Sequence, residues 1–560
     1  MHSDSSTRIA KALPVSAFVS GFRLFLTSGW RLFPVVIALL VLLPVLVVMS
    51  SFASPEQGIW QHLIEYVLGE LLRNTFWLVA GVATGTLLLG AGLGWLMAVY
   101  RFPGSRILSW ALLLPMAIPA YVSAFVFIGL FDFTGPVQNL ARELFGSSAW
   151  FPRIRSTGGV ILVMSLALYP YVYLLAKNAF STQGTRALEA AQTLGHTRLS
   201  GFFKVALPMA RPWIIGGLML VLMETLADFG TVAVFNYDTF TTAIYKTWFG
   251  MFSLNAASQI ASILVILVFV LLVVEQLSRA RMRYIQAGRN QAGEQIRLHG
   301  AAAWCASGAA FMVVLIAFVV PTVQLLLWAA EVFAEDFDNR YFALLWHSLM
   351  LSAIAAIITT MTALLLAYVR RRNRDRATMI AVRIATIGYA LPGPVLAVGI
   401  FVAIAWIDHH LLGYLKATLN LEAGALLQGT VLIMLVAYVI RFMAVGFNTV
   451  DSAMQRLPVS LDEVSHAMGV NGLAMLRRVH VPILRSGLVT ALILVFVDVM
   501  KEMPITLMTR PFGWDTLAVR IFEMTSEGEW EKAALPAISL VLAGLIPIIL
   551  LHRHTEIKHG

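Results

Sequence analysis

Twelve stretches of about twenty apolar residues recur along this 560-residue chain, at roughly 33–52, 75–99, 109–131, 158–178, 213–235, 258–277, 301–329, 346–369, 379–407, 427–447, 487–508 and 534–552. A helix rises about 1.5 Å per residue, so about twenty residues cross a hydrocarbon core roughly 30 Å thick. In lipid, backbone polar groups must be satisfied within a helix or a closed barrel. Barrel strands alternate apolar with polar residues, and these runs do not. The sequence therefore predicts an all-α membrane protein with about 12 transmembrane helices. Only 12% of residues are charged, where a soluble domain carries about a quarter.

The formal net charge is +10. The basic residues gather in alternate loops, most densely in RARMRY (Arg279–Tyr284) and RRRNRDR (Arg370–Arg376). The excess of Lys and Arg in these loops predicts that they, and both termini, face the cytoplasm. The charge thus reports orientation toward membrane lipid, not a nucleic-acid surface. The single cysteine, Cys305, excludes an intrachain disulfide and a thiolate metal cluster. Residues 1–32 are polar or mixed and precede a full-length apolar run. That run comes too late and is too long for a cleaved signal peptide, so a retained first helix is expected.

One signature occurs twice. LEAAQTLGHTRLSGFFKVALP covers Leu188 to Pro208, and DEVSHAMGVNGLAMLRRVHVP covers Asp462 to Pro482. Glu189, Gly195 and Pro208 recur as Glu463, Gly469 and Pro482, an offset of 274 residues. The same offset relates Glu224 and Asp228 to Asp498 and Glu502. Each half then holds six helices, with the signature between its fourth and fifth. An even number of helices keeps the halves parallel, related by an axis along the membrane normal. The expected domains are a cytoplasmic segment 1–32, a six-helix domain 33–278, a cytoplasmic linker 279–300, a second six-helix domain 301–553 and a tail 554–560.

The signature has the chemistry of a helix–glycine–helix elbow. Ala190 and Ala191 leave one helix face low in profile. Gly195 and Gly469 sit where a helix ends in a left-handed cap. Thr197 and Asn471 suit the start of the next short helix, and Ser460 with Glu463 reads as a capping box. An elbow of this kind, joined to a membrane helix, is a mechanical coupler.

On these residues the chain resembles the permeases of importer-type, binding-protein-dependent ABC transporters. The first copy matches the EAA loop of that family at Glu189, Ala190, Ala191, Gly195, Leu207 and Pro208. The second departs from it with Val464 and Ser465 after Glu463, and keeps Gly469 and Pro482. The resemblance implies two fused permease domains whose elbows dock two ATPase subunits, and a separate periplasmic binding protein. ATP would be used by the partner. No Gly-Lys dipeptide, hence no phosphate-binding loop, occurs in the chain. No cofactor is therefore expected on this chain and no enzymatic activity. The stretches 227–250 and 501–523 are similar to the ferric-iron subgroup, with thiamine, aminoethylphosphonate and polyamine permeases as alternatives.

Charges at membrane depth are costly and are functional candidates by default. Glu224 with Asp228, and Asp498 with Glu502, are spaced i, i+4 on a helix face. A two-fold arrangement would bring all four to one axis, where hard oxygen ligands suit a hard cation such as ferric iron. They line the route or its outer gate, or are held structurally by Lys501, Arg441 or backbone donors. An ion-gradient-driven transporter also suits paired halves, but gives the duplicated elbow no motor to dock. An intramembrane enzyme has only these carboxylates to build on.

Overall fold

A computed structural model describes residues 29–53, 57–148, 150–184, 191–193, 195–280, 295–412, 414 and 427–556. The protein is an all-α membrane protein. Among the described residues eleven helices are long and apolar enough to cross a bilayer. The twelfth apolar run also forms a helix, Trp530–Glu556. We name the principal helices α1 (Gly29–Ser50), α2 (Leu68–Val99), α3 (Ala120–Phe131), α4 (Thr157–Ala179), α5 (Leu207–Ala227), α6 (Leu254–Ala280), α7 (Gly300–Asp336), α8 (Asn339–Arg372), α9 (Gly393–Trp406), α10 (Val431–Met454), α11 (Val481–Met500) and α12 (Trp530–Glu556).

Four of the expected continuous helices are broken, in matched pairs. The run 109–131 divides into Ser105–Ala111, a tight turn Leu114–Ala117 and α3. The run 379–407 divides into Arg376–Ala385, Ile387–Ala390 and α9. Pro119 and Pro392 stand at the breaks in extended conformation. Proline lacks the donor that a continuing helix needs, and it pushes the preceding residue out of the α region. The runs 213–235 and 487–508 stop at Ala227 and Met500, and short helices Gly230–Val234 and Pro504–Thr509 follow. Hydropathy does not report these breaks, because both pieces of each run are apolar.

Each half is centred on a three-helix core, α2/α4/α5 in the first and α8/α10/α11 in the second. The outer helices cross over. The N-terminal α1 packs on Arg376–Ala385 and α9 of the second half, and α6 also packs on α9. In return, α12 packs on Leu114–Ala117 of the first half. Two glycines permit these approaches. A Cβ on Gly399 would lie 2.5 Å from the Pro44 carbonyl oxygen, and one on Gly544 would lie 2.3 Å from that of Ala117. Most of the linker lies outside the described residues. Its described end forms a two-residue parallel pair, Tyr100–Arg101 with Ile296–Arg297, that ties it to the end of α2.

Candidate functional site

The two elbows have the same backbone. Val470 N–H donates to the Ser465 carbonyl at 2.9 Å, and His196 N–H to that of Ala191 at 2.9 Å. Gly195 and Gly469 adopt φ of +82° and +77°. This six-to-one closure over a left-handed residue is a helix end that glycine fills without a Cβ penalty. Thr197 caps the next turn by accepting from Ser200 N–H at 3.3 Å. A wide π-helical turn then follows in both copies, Phe202–Ala206 and Leu476–His480, before Pro208 and Pro482 open α5 and α11. Glu189 and Ala190 lie outside the described residues. Leu207 is half-buried at the start of α5.

Two expectations about the elbows change. Ala191 is buried against its own chain, and so is Ser465 at the matching position. The small residue serves internal packing, not a low outer profile. Val464 is exposed beside exposed Glu463, so its size disturbs no packing within the chain. The helix Val459–Ala467 has Pro458 as its N-cap, so Ser460 lies inside it and forms no capping box. The outward face of this elbow carries exposed Val464, Met468 and Leu473.

The elbows are anchored by different chemistry. In the first, Trp95 of α2 packs edge-on against Phe180 and tilted against Phe202, at centroid distances of 5.1 and 4.5 Å. In the second, Arg371 of α8 donates to Asp462 at 2.7 Å and to the carbonyls of Met454, Leu457 and Pro458 at 2.8, 3.0 and 3.0 Å. Fully buried His480 meets the other Asp462 oxygen at 2.8 Å, and Tyr368 donates to the Gly472 carbonyl at 2.9 Å. Burial pushes the Asp462 carboxyl up, but the bonds and charges of Arg371 and His480 outweigh it and hold it below the usual carboxylate range. The first copy has Leu188 and Ala206 at the positions of Asp462 and His480. Asp462 and His480 both lie in the second signature, but nothing in it pairs them, and Arg371 had no sequence signal beyond its basic loop.

All four membrane carboxylates come together. A cavity of about 160 Å³ between the halves is lined by Tyr171, Glu224 and Asp228 from the first half and by Tyr389, Arg441, Asp498, Lys501 and Glu502 from the second. They do not share continuous helix faces, as the spacing suggested, because α5 and α11 end at this level. Asp228 accepts from Thr231 Oγ1 at 3.0 Å and Val232 N–H at 3.2 Å. Glu502 accepts from Ile505 N–H at 3.1 Å and Thr506 N–H at 3.4 Å. Each therefore caps the short helix beyond the break, where the free N–H groups and the helix dipole favour an anion. Glu224 instead accepts from Tyr389 Oη at 2.7 Å, a bond that crosses between the halves.

The balance of charge is uneven. Lys501 Nζ lies 2.9 Å from Asp498, and Arg441 Nη1 lies 3.9 Å from Glu502. Both cations come from the second half, where the first has Ala227 and Ala167. Arg441 Nε and Nη1 are buried without a hydrogen-bond acceptor. Among the described residues no three His, Cys, Asp or Glu side chains converge as a metal centre. The carboxylates thus line the cavity and do not form a chelating set. Tyr389 and Tyr171 carry no sequence pattern that sets them apart from other aromatics.

The comparisons with known proteins agree with this architecture. A family model described as the binding-protein-dependent transport system inner membrane component matches twice, over residues 90–283 and 359–556. An Fe(3+)-transport system permease protein of Haemophilus influenzae is 26% identical over 493 residues, 87% of this chain and 90% of that protein. A ferric transport system permease protein of Actinobacillus pleuropneumoniae is 21% identical over 78% of this chain and 64% of its own length. A sulfate transport system permease protein of Salmonella typhimurium is 33% identical over 156 residues, 28% of this chain and 53% of that protein.

Proposed function

Because the chain belongs to the family of binding-protein-dependent inner-membrane transport components, we propose that it is the permease subunit of a ferric-iron importer. The observation that carries this reading is one cavity between the halves that Glu224, Asp228, Asp498 and Glu502 all line. Carboxylate and phenol oxygens are hard ligands suited to a small, highly charged cation. Similarity to iron permeases over most of the chain supports the same substrate. Residues 33–278 and 301–553 form the two permease domains, joined by the linker 279–300, with 1–32 and 554–560 as cytoplasmic ends. Two copies of an ATPase dock on the elbows, through Glu189, Ala190 and Gly195 in one and Glu463, Val464 and Gly469 in the other. A periplasmic binding protein delivers iron at the opposite face.

A second reading rests on the two cations. Lys501 and Arg441 line the same cavity, and Arg441 has two donors without acceptors. An oxyanion cargo, such as the relative from Salmonella typhimurium carries by its name, would satisfy them. Vesicle uptake separates the readings. The permease is co-expressed with its ATPase and binding protein, with and without ATP, and offered radiolabelled ferric iron or sulfate. ATP-dependent iron uptake that is lost in Glu189→Lys and Glu463→Lys is the expected result. Sulfate uptake with no iron uptake overturns the substrate. Uptake that ignores both elbow variants overturns the docking.

A further inference from the structure

The strand pair that docks the linker sets two arginines against each other. Its register pairs Tyr100 with Ile296 and Arg101 with Arg297. In each strand the first residue is half-buried and the arginine exposed. Both guanidinium groups therefore leave the same open face. Like charges directly opposite one another on a sheet are destabilising. No ion pair among the described residues involves either arginine. The pairing is nonetheless made firmly, with Leu298 N–H donating to the Arg101 carbonyl at 2.9 Å and Gln295 Nε2 to that of Met97 at 2.9 Å. Something of opposite charge belongs between them.

The surroundings say what kind. A shallow pocket of about 330 Å³ lies here, lined by Arg101, Phe102, Pro103, Arg297, Leu298 and His299. It sits where α2 ends and α7 begins, at the end of the bundle that carries the elbows. Beside it the apolar side chains turn outward. Ile107 is 71% exposed on Ser105–Ala111, and Trp304 is 70% exposed one turn into α7. A tryptophan at a helix end next to basic side chains marks the membrane boundary. Basic pockets between membrane helices at this level take anionic lipid headgroups.

We propose that this pocket binds the phosphate of an anionic phospholipid, held between Arg101 and Arg297, with its acyl chains along Ile107 and Trp304. The lipid bridges the first half to the linker strand that leads into the second. It turns a repulsive contact into a staple. A free phosphate would meet the arginines but leave the apolar flank bare, which favours the lipid.

The test uses the full-length permease in nanodiscs and native mass spectrometry. Retention of phosphatidylglycerol and of phosphatidylcholine is measured for the parent chain, for R101Q/R297Q, and for R374Q/R376Q, which removes the same charge elsewhere at that end. Each arginine near an anionic lipid surface contributes about a fivefold preference, so R101Q/R297Q is expected to lose roughly 30-fold in phosphatidylglycerol retention. The control pair keeps it, and inorganic phosphate does not compete. Thermal unfolding supplies a readout that simple misfolding would not imitate. R101Q/R297Q should match or exceed the parent in phosphatidylcholine, because repulsion is relieved, and fall below it in phosphatidylglycerol. Equal loss in both double variants overturns the site in favour of diffuse charge attraction. Unchanged retention in R101Q/R297Q, or binding of inorganic phosphate in place of the lipid, overturns it as well.

Discussion

Arg371→Ala should free the second elbow while leaving the membrane bundle intact. The guanidinium makes four hydrogen bonds, one to Asp462 and three to carbonyls at the end of α10 and the turn after it. Its side chain is 12% exposed and that of Asp462 is 21% exposed. Truncation strips Asp462 of its charged partner, leaving it His480 alone, and removes the side-chain donor from three carbonyls, of which those of Met454 and Pro458 keep a backbone donor. Breaking a buried, hydrogen-bonded pair from one side costs about 3–5 kcal/mol. Water reaches part of this site, so the lower end, about 3 kcal/mol, is the better figure. That corresponds to a rise of roughly 100-fold in local opening. Amide hydrogen exchange over residues 455–480 reads it directly, with α4 as an internal reference. Arg371→Lys keeps a point charge but loses the fork, and should fall between. If exchange over 455–480 stays at the parent rate while Arg371→Ala remains folded, the clamp does not hold the elbow.

The same clamp fixes a pH response. The folded Asp462 carboxyl lies below its ordinary value of about 3.9. Its contribution is therefore fully present above that value and is lost as pH falls through the lower folded value. Elbow exchange protection, corrected for intrinsic rates, should be flat from about pH 8 to pH 5 and fall only in stronger acid, and Asp462→Asn should remove that acid step. In the cavity, Glu224→Gln keeps an acceptor for Tyr389 but removes the charge; vesicle uptake should drop about tenfold, a change of roughly 1.4 kcal/mol, with ATPase association unchanged. Gly544→Val places a Cβ where the Ala117 carbonyl oxygen lies 2.3 Å away. It should cost about 1–3 kcal/mol, read as a lower unfolding temperature in detergent, and normal stability would show that the crossover of α12 is not tightly packed.

The helices and the repeat were legible because each has a signal in the sequence. Apolar length marks a span, and a fixed offset marks a duplication. The elbow glycines were legible because Gly195 and Gly469 stand at a helix end that needs positive φ. The helix breaks at Asp228 and Glu502 were not, since an i, i+4 pair of carboxylates looks the same whether the helix continues or stops. The exchange of α1 and α12 between halves was hidden for a different reason. Helix packing in lipid depends on shape at single small residues such as Gly399 and Gly544, not on apolar composition. The clamp joins Arg371, Asp462 and His480 across a gap of more than ninety residues, with no periodicity to betray it.

The repeat gains its meaning from what lies between elbow and cavity. In each half the π-helical turn of the elbow runs without interruption into α5 or α11. Those helices are 21 and 20 residues long, and end one residue before Asp228 and one residue before Lys501. At about 1.5 Å per residue each is a rod of roughly 30 Å. One end carries the elbow with its exposed face, and the other carries carboxylates that cap the next short helix. A force on the elbow therefore reaches the cavity through a single hydrogen-bonded element, with no loop to absorb it. Rotating both rods together would move Asp228 and Glu502 with their short helices, and would strain the Tyr389–Glu224 bond that spans the halves. Tyr389→Phe removes that bond without touching either rod. If the bond holds the resting state closed, the variant should raise ATPase turnover in the absence of binding protein. If turnover is unchanged, the latch between the halves must be sought in the crossed helices α1 and α12.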